Sequence, residues 1–298
     1  MEQDEYKSGF IAVMGSPNVG KSTIVNSMVG QKVSIVSDKP QTTRNTIRGV
    51  LTKEHYQIVF LDTPGLHEPR NKLGAMMVRS ANESAREVDA ILFVADAVTG
   101  VKKRDQDNIK RLMAYQIPLI VAVNKTDAAK QGQIDSAITA LHELGVEEDI
   151  YTVSAARGSH MDELESALVK YLIPGPKYYP DDMYTDQPER LIAAEMIREK
   201  ALRLLSEEVP HGVGVEIEKI EKREGKDLMY VAAAIYCERK THKGIIIGAG
   251  GSMLKRIGSE SRADLQMLFG CKVFLELFVK VKEDWRNSPS VLKTLGYE

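Results

Sequence analysis

Short apolar runs without polar interruptions recur through the first 155 residues: FIAVM (10–14), IVFLD (58–62), AILFVAD (90–96), LIVAVNK (119–125) and IYTVSA (150–155). Most are β-branched and unalternating, the pattern of strands buried on both faces of a mostly parallel sheet. Helix-period segments lie between them, such as 102–115 and 132–144. Strand–helix alternation of this length predicts an α/β doubly wound fold from Gly9 to about Leu172. Residues 46–62 break the rhythm. They read as two successive strands joined by a turn near Lys53–His55, hence one antiparallel edge.

The segment IPGPKYYPDDMYTDQP (173–188) has four prolines and no apolar periodicity, so a linker is expected at 174–189, between domains at 1–173 and 190–298. After it the pattern changes. Residues 190–205 suit an amphipathic helix with Ala194, Ile197, Ala201 and Leu204 on one face. Strands are expected at 213–221 and 228–237, then a glycine cluster, then a helix carrying Leu254, Ile257, Ser261, Leu265 and Leu268. A last strand at 272–281 alternates strictly, with Val273, Leu275, Leu277, Val279 and Val281 on one face. Within this small α+β domain, Ile245–Ile247 read as strand by propensity.

Composition narrows the setting. No run approaches eighteen apolar residues, and the N-terminus MEQDEYKSGF lacks the apolar stretch of a secretory signal. The two cysteines, Cys237 and Cys271, each sit in an apolar segment, and the six histidines show no metal-ligand spacing. Buried thiols in a reducing compartment are expected, which points to the cytoplasm. The net charge is only −2, yet Arg239–Lys282 holds nine basic residues against three acidic ones. A basic segment in an otherwise acidic chain suggests an anionic partner for the second half.

The chemistry is concentrated at strand ends. GSPNVGKS (15–22) fits G-x-x-x-x-G-K-[ST], after a strand and opening a helix. Gly15, Ser16, Pro17, Asn18, Val19 and Gly20 would curl backbone N–H groups around phosphates, with the helix N-terminus continuing through Thr23. Lys21 would reach the β- and γ-phosphates and Ser22 would ligate Mg²⁺. In Asp62, Thr63, Pro64, Gly65 and Leu66, Asp62 can hold magnesium through water and the Gly65 N–H can meet the γ-phosphate. In Asn124, Lys125, Thr126 and Asp127, Asn124 faces the guanine N7 and O6 side and Lys125 packs over the base. Asp127 can accept from both N1–H and the 2-amino group, donors that adenine lacks, so NKTD excludes a generic ATPase. Ser154, Ala155 and Ala156 would bring a backbone N–H to O6. QTTR (41–44) offers a threonine to complete the magnesium shell when γ-phosphate is present, Thr43 in preference to Thr42. Lys21, Thr43 and Gly65 are therefore the catalytic candidates; Ser22, Thr43 and Asp62 are the metal candidates.

The series GSPNVGKS, QTTR, DTPGL, NKTD and SAA resembles the translation-factor-related GTPases, and within them the Era GTPases. The resemblance covers nearly the whole chain. It implies a bacterial cytoplasmic GTPase that uses GTP/GDP and Mg²⁺, binds small-subunit ribosomal RNA and assists assembly of the small ribosomal subunit. A monomer is expected, with peripheral membrane association as a further expectation. Ras-type switches orient water with a glutamine where this chain has Leu66, and no arginine finger can be assigned, although Arg44 and Arg48 are near. Intrinsic hydrolysis should be slow, about 10⁻⁴–10⁻³ s⁻¹. Similar GTPases bind K⁺ with an asparagine at the position of Asn18; a plain turn residue is the other reading.

GAGG (248–251) reads G-x-x-G, flanked by Arg239, Lys240 and Lys243 and by Lys255 and Arg256. Together with the element order it resembles a type II KH domain, whose G-x-x-G loop clamps the backbone of single-stranded RNA. The candidate RNA contacts are Lys243, Ile247, Gly248, Ala249, Gly250, Gly251, Lys255 and Arg256, with Ile245–Ile247 and Leu254 lining an apolar groove. In that family GIIIG ends a short helix, against the propensity reading. The central pair, commonly polar or basic, is here Ala249 and Gly250, which leaves charge to Lys243, Lys255 and Arg256. The alternative is a signalling GTPase whose second domain grips a protein or a membrane surface.

Overall fold

The apolar runs of the first half build one sheet in the computed structural model, which describes residues 5–146, 149–225 and 227–297. The first four residues of the polar N-terminus lie outside the described residues. In chain order the elements are β1 (Lys7–Met14), α1 (Lys21–Val29), β2 (Ile47–Thr52), β3 (Tyr56–Asp62), α2 (Lys72–Ser84), β4 (Ala90–Asp96) and α3 (Lys103–Met113). β5 (Leu119–Asn124), α4 (Gln131–His142), β6 (Ile150–Thr152), α5 (Met161–Val169) and β7 (Ile173–Pro174) follow. The strand order is β2-β3-β1-β4-β5-β6, with β7 antiparallel to β1. The pairs β3–β1, β1–β4, β4–β5 and β5–β6 are parallel, and β2–β3 forms the expected antiparallel edge.

The missing alternation has a direct cause: both faces of the sheet are covered. Ala90, Leu92 and Val94 join one core with Ile24 of α1 and Leu164 of α5. Ile91, Phe93 and Ala95 join a second core with Ile109 of α3 and Leu141 of α4. Parallel β1, β3, β5 and β6 then release their following loops at one sheet edge, where ligands of such folds bind.

The chain divides into two units. The first runs to Val36 and includes Thr43–Glu68 and Met77–Asp186; the second comprises Ser37–Thr42, Pro69–Met76 and Gln187 onward. Much of the proline-rich segment is fastened to the first unit. Gln57 of β3, fully buried, accepts from Tyr178 N (2.8 Å) and Tyr179 N (3.0 Å) and donates to Tyr179 O (2.9 Å). Val50 N donates to Tyr184 O at 2.8 Å, and Arg48 pairs with Asp186 at 2.7 Å.

The second unit contains α6 (Glu189–Leu204), β8 (Gly214–Lys222), β9 (Leu228–Cys237), α7 (Lys240–Ile247), α8 (Ser252–Phe269), β10 (Lys272–Val281) and α9 (Pro289–Thr294). Its sheet runs β10-β9-β8, with β9 parallel to β10 and antiparallel to β8. Two readings of the sequence need correction. Ile245–Ile247 are helical, because at helical spacing Ile246 is fully buried and Ile247 packs against the core while Ile245 stays half exposed. Burial decides what local propensity leaves ambiguous. α6 is also buried beyond its apolar face: Arg198, Glu199 and Lys200 lie inside, with Arg198 paired to Glu195 and Lys200 to Asp264 at 2.7 Å.

Cys237 is buried and Cys271 half-buried, both as free thiols. Among the described residues no helix is long and apolar enough to cross a membrane. Trp285 is fully buried; its indole N–H donates to Gly212 O at 2.9 Å and its ring stacks on Tyr297. Trp285→Ala is expected to cost the second unit about 3–5 kcal/mol. Calorimetry should then show its transition falling in temperature, while nucleotide-dependent stabilisation of the first unit persists.

Candidate nucleotide site and nucleic-acid groove

Gly20 lies in the left-handed region (φ 101°) at the N-cap of α1, and a Cβ there would come within 2.2 Å of Asn124 Nδ2. Only glycine lets the loop close so tightly on the helix start. Lys21 follows, buried, its amine donating to Ser16 O (3.0 Å) and Gly15 O (3.2 Å). Burial lowers its pKa to about 8, against the pull of Asp62 and Asp105. Phosphate oxygens in the loop would favour its charged form again.

Ser22, Thr43 and Asp62 converge. Ser22 Oγ donates to Asp62 Oδ2 at 2.7 Å and lies 2.9 Å from Thr43 Oγ1. Asp62 is fully buried, which raises its pKa, and among the described residues its Oδ1 has no hydrogen-bond partner. Two hydroxyls and a buried carboxylate with a spare oxygen form a hard-oxygen set suited to Mg²⁺. Thr42 instead turns its hydroxyl to Lys39 O at 2.7 Å. The two threonines of the polar loop thus separate by geometry.

At the base end, Asp127 Oδ1 accepts from Ser154 Oγ at 2.6 Å, with Arg157 3.7 Å from Oδ2. The Ser154 hydrogen bond, aided by Arg157, holds this carboxyl below the ordinary carboxylate range. It is an ionised acceptor, as recognition of two guanine donors requires. Lys125 Nζ donates to Asn18 O (2.6 Å) and to Asp96 Oδ2 (2.7 Å).

In the second unit, α7 closes on Gly248, and the glycines at 248, 250 and 251 all have positive φ (73°, 57° and 82°). The Gly248 N–H donates to Gly244 O and the Gly251 N–H to Gly248 O. Beside the loop, α8 and β10 enclose a groove of about 410 Å³, lined by Leu254, Lys255, Gly258, Arg262, Leu275 and Leu277 among others. Its walls are apolar and its rim basic. The isoleucines do not line it: Ile246 and Ile247 pack with the core.

Comparison with known proteins agrees with both halves. The family model described as "50S ribosome-binding GTPase" matches residues 10–125, and the KH domain model matches residues 208–286. GTPase Era of Alkaliphilus oremlandii (strain OhILAs) is 51% identical, over 98% of this chain and 99% of its own length. The chain belongs to the GTPase Era family. Era of Clostridioides difficile (strain 630) is 50% identical over the same shares. A crystal structure of Era with MgGDPNP and nucleotides 1506–1542 of 16S ribosomal RNA superposes with a TM-score of 0.94 at 39% identity, covering 98% of this chain and 99% of that one. An Aquifex aeolicus Era variant bound to GDP and AlF₄⁻ gives 0.94 at 41%, with the same coverage. The chain is a GTPase with the P-loop and KH architecture of Era.

Within this Era framework several side chains are tied to the chain itself. Asn124 is buried: its amide donates to Val19 O (3.0 Å) and its carbonyl accepts from Ala155 N (3.1 Å). It joins the phosphate loop to the base loop and occupies the Ala155 N–H. Leu66 is buried, and its N–H donates to Gly15 O at 3.0 Å, so its side chain cannot orient water. Arg48 is engaged by Asp186. Asp96 and Asp105 were not legible as site residues: each lies apart from the motifs, and only the fold brings it to the phosphate loop or to Lys125. Gly258, Ser259 and Arg262 are groove residues that the sequence alone does not single out, and Leu275 and Leu277 were read only as one face of the last strand.

Proposed function

We propose that this Era GTPase uses its nucleotide state to control the hold of its second unit on single-stranded 16S ribosomal RNA during small-subunit assembly. One observation carries the reading. A groove with basic rim and apolar walls lies beside a glycine loop of positive φ, in a chain whose Era relative of the same fold holds 16S RNA. Residues 1–173 would do the chemistry, 174–189 would link, and 190–298 would bind RNA in the cytoplasm. We take the working form to be a monomer, with a peripheral membrane contact as a second location.

In the nucleotide site, Lys21 would bind the β- and γ-phosphates, the Gly65 amide would meet the γ-phosphate and Asp127 would read guanine. Ser22, Thr43 and Asp62 would hold Mg²⁺, which supplies neutralisation of the phosphate charge. With Leu66 buried, these groups orient and stabilise but do not position an attacking water. Retention of labelled RNA spanning nucleotides 1506–1542 of 16S ribosomal RNA on a filter, lost at high salt, tests the RNA half of the proposal. Retention that ignores salt would favour a protein partner.

Catalysis is expected to be faster in KCl than in NaCl at equal ionic strength, since Asn18 stands in the phosphate loop and Leu66 stands where Ras-type switches have a glutamine. Asn18 has φ 67°, so Asn18→Gly is the clean test: it keeps the backbone and removes the amide. Loss of the KCl advantage in that variant supports the cation. Equal wild-type rates in the two salts dismiss it.

A further inference from the structure

The phosphate loop is held by several of the chain's own groups, and nucleotide binding affects them differently. The Gly15 carbonyl accepts from Lys21 Nζ and from Leu66 N. Lys21 is the amine that turns to the phosphates, and Leu66 follows the glycine that meets the γ-phosphate. Both holds therefore change with the nucleotide. The far half of the loop is tied by the base motif, Lys125 to Asn18 O and Asn124 to Val19 O. One hold on the near half comes from outside the nucleotide motifs. Ser16 Oγ donates to Asp105 Oδ1 at 2.5 Å.

Asp105 is well mounted for this. It sits in the first turn of α3, almost buried, and its Oδ2 accepts from Lys102 N at 3.1 Å, where the helix starts. Ile109 and Leu112 of the same helix are fully buried in the core, so the carboxylate stands on a rigid element. A carboxylate can only accept, so the Ser16 hydroxyl proton is committed to it, and the charge strengthens the bond.

We propose that Asp105 is a positioning residue for GTP binding: through Ser16 it fixes the near half of the phosphate loop in one place, whichever nucleotide is bound. The proposal rests on the nucleotide-site reading above. It differs from a γ-phosphate sensor in a measurable way. A constant hold lengthens the lifetime of GDP and of GTP alike, whereas a sensor would favour one of them.

Stopped-flow release of fluorescent GDP and of a fluorescent non-hydrolysable GTP analogue tests this in the full chain with Mg²⁺. The variants are Ser16→Ala, Asp105→Ala, Asp105→Asn and the Ser16→Ala/Asp105→Ala double. Each alanine single should speed release of both nucleotides by a similar factor, about tenfold. The double should be no faster than the faster single, since one interaction is removed only once. Asparagine can still accept from Lys102 N and can donate to Ser16 Oγ, so Asp105→Asn should recover most of the lifetime. Additive singles, an effect confined to the GTP analogue, or Asp105→Asn behaving as Asp105→Ala would overturn the proposal. Ser16→Ala leaves the α3 start intact, so unchanged release in that variant overturns it even if the Asp105 variants misfold. Failure of the nucleotide-site reading itself would appear separately, as Asp127→Asn keeping its guanine preference.

Discussion

Asp127→Asn is expected to move the chain from GTP to xanthosine triphosphate, with a change in relative affinity of about 10⁴-fold. The carboxylate accepts from Ser154 and is held ionised, so its remaining lone pairs face a base that offers two donors. Guanine does; xanthine puts a carbonyl where guanine carries its amino group. An asparagine presents one acceptor and one donor, which matches xanthine and leaves the guanine amino group unpaired. The large size follows from setting donor against donor in the mutant, in a site built to be matched, and not from the loss of one bond alone. Competition of GTP, XTP and ATP against a fluorescent guanine nucleotide gives the result directly. A mutant that still prefers GTP would remove NKTD from the site.

Gly250→Asp should weaken RNA binding by about tenfold or more near 0.1 M salt, with RNA-independent GTP hydrolysis unchanged. Gly250 is the sound place for this change. It has positive φ, which aspartate tolerates better than most residues, and a Cβ there meets nothing within 4 Å. Gly248, by contrast, would press a Cβ to 2.8 Å from Met253, and lost binding there could reflect a damaged α8. Lys255→Ala, on the groove rim, should instead weaken all single strands by a similar factor. It should also flatten the dependence of log K on log salt by about 0.7. Filter binding across a salt series separates the two effects. Wild-type affinity that ignores salt would dismiss a phosphate-gripping groove.

The fold was legible wherever burial and period agree. β4 and β5 are covered on both faces, so their runs carry no alternation and stand out at sight. β10 is covered on one face, so it alternates. The phosphate and base loops were legible because their chemistry demands residue types at fixed spacing. What stayed hidden depends on contacts distant in sequence. Ser16 and Asp105 are 89 positions apart, and Lys125 and Asp96 are 29 apart. No spacing rule links them. The isoleucines of α7 were ambiguous for a related reason: only the core around Ile246 tells helix from strand.

The bridge made by Asn124 and Lys125 has a consequence for how a ligand is received. Val19 and Asn18 of the GSPNVGKS loop are bonded to Asn124 and Lys125 of NKTD, so the two motifs form one mechanical frame. Its geometry is set when the chain folds, and little conformational entropy remains to be lost when the ligand arrives. A guanosine without phosphates should therefore meet a base pocket already shaped for it. Damage at either end, however, should be felt at the other: an Asn124 variant would loosen the grip on inorganic pyrophosphate, a molecule that has no base to recognise.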